Sequence, residues 1–201
     1  MAEDVKKWRK IDSSNRPHYL EENDRCLYYM DYQAHGGYSS SNSNNLINNF
    51  KREPKHKGQP AWTYKLEAAN IFAKNLIALF ADKEDLTIAF IPVSKIKSDP
   101  EFDERFDLLK ENLQKLKPSL RFEEPIMVKI NRVAAHQASA RPKPTDIEST
   151  YQWIGFQEKP KKLILIDDVI TTGAQFRAYK NLVLAHYGDV EVIGLFWGKT
   201  F

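Results

Sequence analysis

The run LILIDDVITTGAQ at 163–175 constrains this chain more than any other segment. Leu163, Ile164, Leu165 and Ile166 form an apolar stretch of the kind found in strands covered on both faces. Asp167 and Asp168 follow at once, so they are expected to emerge at the carboxyl end of that strand. In open α/β sheets ligands bind at that edge. Adjacent carboxylates repel each other, which costs stability unless a cation or ligand hydroxyls satisfy them. Thr171, Thr172, Gly173 and Ala174 then make a small-residue turn into a helix, where Gly173 permits a positive φ or a close backbone approach. Backbone N–H groups, the positive end of the helix dipole and two hydroxyls suit a phosphate there. Carboxylates for a diol beside a turn for a phosphate describe a ribose 5-phosphate. The plainer alternative is a capped strand-to-helix junction, but capping accounts for one acidic residue and not for two beside a TTG turn.

The remaining pattern is of strands alternating with helices. CLYYMDYQ (26–33) reads as a strand. A Gly/Ser/Asn loop follows, then a short helix, LINNFKREP, stopped at Pro54, and a basic loop, KHKGQP. From Tyr64 to Phe80, Leu66, Ala69, Ala73, Leu76, Ile77 and Phe80 mark one apolar helix face. LTIAFIPVS (86–94) is a buried strand, and Phe102, Phe106, Leu109, Leu113 and Leu116 mark another amphipathic helix, stopped by Pro118. PIMVKI (125–130) is a further strand candidate. Residues 131–157 hold RPKP and no sustained period, the mark of a functional or disordered loop. KKLILIDD, a helix from about Gly173 to His186 with Gly188 as its left-handed cap, and the strand VEVIGLFW complete the series. This predicts an α/β fold with a mainly parallel sheet and helices on both faces. The expected organisation is an N-terminal arm over 1–25 and one domain over 26–201.

LILIDDVITTGAQ resembles the phosphoribosyl-pyrophosphate motif of type I phosphoribosyltransferases: an apolar strand, two acidic residues, two apolar residues and a TTG turn. The resemblance implies a Rossmann-like parallel sheet with an irregular hood over 131–157. It assigns the ribose hydroxyls to Asp167 and Asp168, and the 5-phosphate to Val169, Ile170, Thr171, Thr172, Gly173, Ala174 and Gln175. Gln175 stands where the family usually has Thr or Ser, although an amide can still donate a hydrogen bond. IPVSKIK (91–97) is similar to the family's pyrophosphate loop, with Ser94, Lys95 and Lys97, and Arg132 is a further candidate for the pyrophosphate. The implied activity is a magnesium-dependent phosphoribosyl transfer in which Asp168 and Lys95 stabilise developing charge. The layout is also similar to the competence-protein F branch: LINNFK matches its LI-x-x-x-K segment, and Arg132, Gln137 and Arg141 match its hood. A single Cys, Cys26, excludes that branch's zinc ribbon as well as any disulfide framework. His136, Gln137, Arg141, Phe196 and Trp197 are the candidates for contact with a base; for the last two, ordinary core packing is the competing reading.

The 201 residues suit one domain at ~150 residues per domain. The apolar runs fall far short of the ~18 residues of a membrane span, and MAEDVKKWRKIDSS has no apolar signal core, so a cytoplasmic protein is expected. A net charge of +3 suits a phosphorylated small molecule and gives little support to nucleic acid. Lys51, Arg52, Lys55, His56 and Lys57 with Trp62 and Tyr64 have the ingredients for nucleic acid, but the cluster is short and reads better as a solvated helix end. The family's precedent admits a homodimer. The competing function is a module that binds a nucleotide or phosphoribosyl compound without turnover, in regulation, DNA uptake or defence.

Overall fold

The computed structural model describes residues 8–80, 85–132 and 141–201. Its elements in chain order are β1 (Arg9–Lys10), β2 (Arg25–Tyr32), α1 (Asn42–Phe50), a 3-10 turn (Pro54–His56), α2 (Trp62–Phe80), β3 (Leu86–Phe90), α3 (Arg105–Leu116), β4 (Arg121–Phe122), β5 (Ile126–Val128), α4 (Pro144–Glu148), β6 (Tyr151–Trp153), β7 (Lys162–Ile170), α5 (Ala174–Tyr187) and β8 (Glu191–Thr200). Six strands form one sheet in the order β1-β2-β8-β7-β3-β4, and only the β1–β2 pairing is antiparallel. β5 and β6 form a separate antiparallel pair. The architecture is α/β, a mostly parallel sheet flanked by helices.

Each face of the sheet buries its own core. On one side Ile47 and Phe50 of α1, Ala69, Phe72, Ala73 and Leu76 of α2, and Leu109 and Leu113 of α3 pack over Ile88, Ile164, Ile166, Leu195 and Trp197. On the other, Phe176, Tyr179 and Val183 of α5 cover Leu163, Leu165, Val192 and Phe196. α5 approaches closely because Gly194 has no side chain: a Cβ there would stand 2.9 Å from both Phe176 and Cys26.

Several expectations need correction. The face of α2 is rotated at its first turn: Leu66 is 43% exposed while Lys65 is fully buried. The helix therefore turns a cation inward where apolar spacing alone predicts a leucine. PIMVKI is not a strand of the main sheet; the crossover from β3 through α3 returns at β4, and β5 pairs with β6 instead. The stretch 131–157 contains α4 and β6. Gly188 does end α5 at positive φ, but its φ 71°, ψ −89° is not left-handed helical. The segment before β2 is integrated into the fold, since β1 joins the sheet and the Tyr19 N–H donates to the Thr172 carbonyl at 2.8 Å.

This topology places the edge that matters. From β3 the chain winds outward to β4, whereas from β7 it winds the other way to β8. The carboxyl ends of β3 and β7 are thus the point where strand order reverses, the edge at which open α/β sheets form their ligand crevice. β3–β7 pairing stops at Phe90↔Ile166, while β7 runs on beside β8 to Ile170. The acidic pair lies in this overhang.

Candidate active site at the sheet's carboxyl edge

Successive strand residues point to opposite faces, and this splits the acidic pair. Asp167 lines a cavity of about 60 Å³ on the α5 side, together with Val169, Ile170, Thr171, Thr172, Gly173, Ala174, Gln175, Arg141 and Phe196. Every residue of the expected phosphate turn lies on this cavity, and three residues of the 131–157 stretch, Arg141, Pro142 and Ile147, line it as well. Gly173 holds the turn at φ 80°, a conformation that favours glycine, and as the N-cap of the 14-residue α5 it brings no side chain of its own to the helix N-terminus. Thr172 Oγ1 reaches the Ala174 N–H at 3.4 Å, and Thr171 Oγ1 meets Thr200 Oγ1 at 2.9 Å.

Asp168 belongs to the other side. Its Oδ2 accepts from Arg105 Nη1 at 2.5 Å and lies 3.7 Å from Lys51 Nζ, while its Oδ1 accepts from the Val169 N–H at 2.6 Å. Arg105 is set in turn by Asp103, whose Oδ1 accepts from the Arg105 N–H at 3.0 Å and whose Oδ2 lies 3.4 Å from Arg105 Nε. Asp103 Oδ1 also accepts from Lys65 Nζ at 2.6 Å. Lys65 donates as well to the carbonyls of Phe50, at 2.9 Å, and Arg52, at 2.8 Å. A chain of alternating charge therefore runs from the middle of the α1–α2–α3 layer to the crevice.

The electrostatics follow. Burial, then the neighbouring Asp168, pushes the Asp167 carboxyl well above its ordinary value and so favours its protonated form. Burial also works against charge on Asp168, but Lys51, Arg105 and the Val169 N–H outweigh it and hold that carboxyl below its ordinary value. Burial pulls Lys65 down to about 8, against the raising effect of Asp103. The two neighbouring carboxyls are thus pushed in opposite directions, Asp167 up and Asp168 down, the arrangement expected when like charges share a site.

The pyrophosphate candidates sit on the loop after β3. Lys95 pairs with Glu101 at 2.8 Å and Asp99 at 3.8 Å, and the hydrogen bond to Glu101 is the largest influence raising its pKa. Lys97 binds Glu124 at 2.5 Å. The Ser94 carbonyl accepts from the Arg132 N–H at 2.8 Å. Arg132 also spans the Pro92 and Val93 carbonyls at 3.2 Å and lies over the Tyr151 ring at 5.1 Å. Its guanidinium thus holds the loop's backbone. Trp197 is fully buried and stacked on Phe72 with centroids 3.9 Å apart, which makes it a core residue and not a platform for a base. Phe196 is buried but borders the cavity. His136 and Gln137 lie outside the described residues. The basic cluster at 51–57 is largely neutralised: Lys51 faces Asp168, Lys55 pairs with Glu53, and Lys57 pairs with Glu104 at 2.7 Å.

Sequence reasoning missed Arg105, Asp103 and Lys65. Arg105 opens an amphipathic helix and carries no motif, so its meeting with Asp168, 63 positions away, is a product of the tertiary fold. Lys51 lies inside the LINNFK segment, which was the one available signal for it.

A second cavity, of about 680 Å³, opens at the opposite edge, where the strands begin, between Phe80, Leu86, Ile164, Leu195 and the segment before β2. Its rim mixes Lys10, Arg16, Arg25 and Lys162 with Asp12, Glu21, Glu22 and Asp24. Among the described residues, no helix is long and apolar enough to cross a membrane. Protein-family models give no match to the chain, and neither do the curated proteins.

Proposed function

We propose that the chain binds a phosphorylated ribose at the carboxyl edge of its sheet and acts as a type I phosphoribosyltransferase. It would move the 5-phosphoribosyl group from phosphoribosyl pyrophosphate to an acceptor and release pyrophosphate. The observation that carries this reading is the shared cavity: the whole 169–175 turn, Asp167 and Arg141 converge on one small space beside the carboxyl end of β7 and the start of α5.

In this reading the turn and the start of α5 hold the 5-phosphate, with Arg141 adding charge. Asp167, whose protonated form burial favours, offers an O–H and an acceptor oxygen to a ribose hydroxyl. Bond breaking at C1 sends an electron pair to the pyrophosphate oxygen and leaves positive charge on the ribose, which the acceptor then quenches by bonding to C1. The chain's part is placement and charge. Lys51 and Arg105 are the cations held on Asp168, and Lys95, on the loop after β3, would leave Glu101 and Asp99 to meet the diphosphate. Magnesium belongs to the substrate complex, held by the diphosphate's hard oxygens. Among the described residues no three His, Cys, Asp or Glu side chains are grouped to hold a metal, and both Asp168 oxygens already accept hydrogen bonds.

A second reading, binding without turnover, is favoured by one observation. Asp168, the carboxylate expected to meet the ribose and stabilise developing charge, is already engaged by Arg105. The test is the thermal midpoint of the wild type and Asp168→Asn with ribose 5-phosphate, then with phosphoribosyl pyrophosphate plus magnesium. A ligand at ~100 times its Kd adds about 2.7 kcal/mol, a rise of several degrees. The expected result is a rise in the wild type and a smaller one in the variant. Pyrophosphate release with a panel of bases then separates turnover from binding; no rise with either ligand sinks both readings.

A further inference from the structure

Lys65 is fully buried, and its three N–H donors are all placed: on the Phe50 carbonyl, the Arg52 carbonyl and Asp103 Oδ1. A desolvated ammonium with a full set of acceptors is a rigid joint, since losing any one partner strands a buried polar group. What those partners carry gives the joint its meaning. Lys51 is the residue between Phe50 and Arg52, so the two carbonyls bracket the backbone that delivers its side chain toward Asp168. Asp103 binds both the backbone N–H and, at 3.4 Å, the Nε of Arg105, the other cation on Asp168. The C-terminal end of α1 and the loop that leads into α3 meet at this ammonium, which α2 supplies.

We infer that Lys65 is the positioning residue of the crevice, fixing Lys51 and Arg105 on Asp168 together as one cationic clamp. Simple packing does not account for this arrangement, because an apolar side chain of the same length would fill the space and hold neither carbonyl nor carboxylate. The clamp gives the crevice a fixed positive rim against which a diphosphate can sit. This use of the clamp rests on the phosphoribosyl reading above; the positioning itself does not.

The experiment follows the Asp168 carboxyl by carbon NMR in the ligand-free protein, with inorganic pyrophosphate as the binding probe. Lys65→Met strands Asp103 and can cost the fold, so Lys65→Met with Asp103→Asn, which removes both charges, is the decisive variant. Loosened cations no longer hold Asp168 down, so its midpoint rises by about one pH unit or more, and pyrophosphate binds about tenfold more weakly. Asp103→Asn alone, which keeps a hydrogen-bonding oxygen for Lys65, lies between. A folded double variant in which Asp168 titrates as in the wild type overturns the inference. A midpoint that moves while the wild type binds no pyrophosphate upholds the positioning and removes the phosphoribosyl reading instead.

Discussion

Asp167 and Asp168 share a peptide bond but not an environment. The first is buried beside the second, and both effects push its carboxyl up; the second accepts from Arg105 at 2.5 Å and faces Lys51, which hold its carboxyl down. The consequence for stability has a definite sign. In the unfolded chain Asp167 loses its proton near 3.8, whereas in the fold it keeps it to about 8. Between those values the native state binds the extra proton, so this group makes stability fall as pH rises. Asp168 acts oppositely, with its contribution present above its ordinary value and lost only as pH falls toward its depressed one. Asp167→Asn should therefore remove this group's share of that decline, so that its lead in melting temperature over the wild type is already present at pH 5 and widens toward pH 8. Midpoints measured across that range check this; parallel curves would mean that Asp167 is ionised throughout.

At the scale of elements, the strand–turn–helix unit β7–α5 depends on one backbone position. Gly173 sits at φ 80°, and a Cβ there would stand 2.9 Å from Leu20 Cδ2. Gly173→Ala meets strain and a clash at once and should cost about 1–2 kcal/mol. It should also weaken phosphate binding, because the turn cannot relax without moving the N–H groups of α5. Denaturant unfolding and phosphate titration read the two losses separately. This unit was also the most legible in the sequence, since four apolar residues, two acids and a TTG turn are all local signals. The α2 face was legible only in part: Leu66 fits the apolar spacing, yet Lys65 is the side chain turned inward, and nothing near it in sequence announces Asp103 as its partner. The cationic half of the crevice was hidden for the same reason. Arg105 and Lys51 reach Asp168 from two helices far apart in the chain, and periodicity records which face is apolar, not which charges the fold brings together.

The whole molecule ties its N-terminal segment to the same edge. The Asp24 carboxylate is fully buried and accepts from Lys180 at 2.6 Å and from Arg177 at 3.1 Å, both on α5. A few residues earlier, Tyr19 holds the Thr172 carbonyl and Leu20 packs under Gly173. One face of α5 is therefore clamped by the segment before β2, and the turn that opens α5 is supported by that same segment. Breaking a buried pair by removing one partner leaves an uncompensated charge, so Asp24→Ala should cost about 3–5 kcal/mol, a fall on the order of 10 °C in a domain of this size. The loss should reach the site as well. With Asp24 gone the segment is released from α5, Tyr19 no longer steadies Thr172, and phosphate affinity should fall although Asp24 lines no part of the 60 Å³ cavity. Unfolding curves with and without saturating ribose 5-phosphate measure both effects on one sample. Lower stability with the full ligand-induced gain intact would show that the segment braces the fold but not the turn, whereas a reduced gain ties the strength of the phosphate site to the docking of the chain's first described residues.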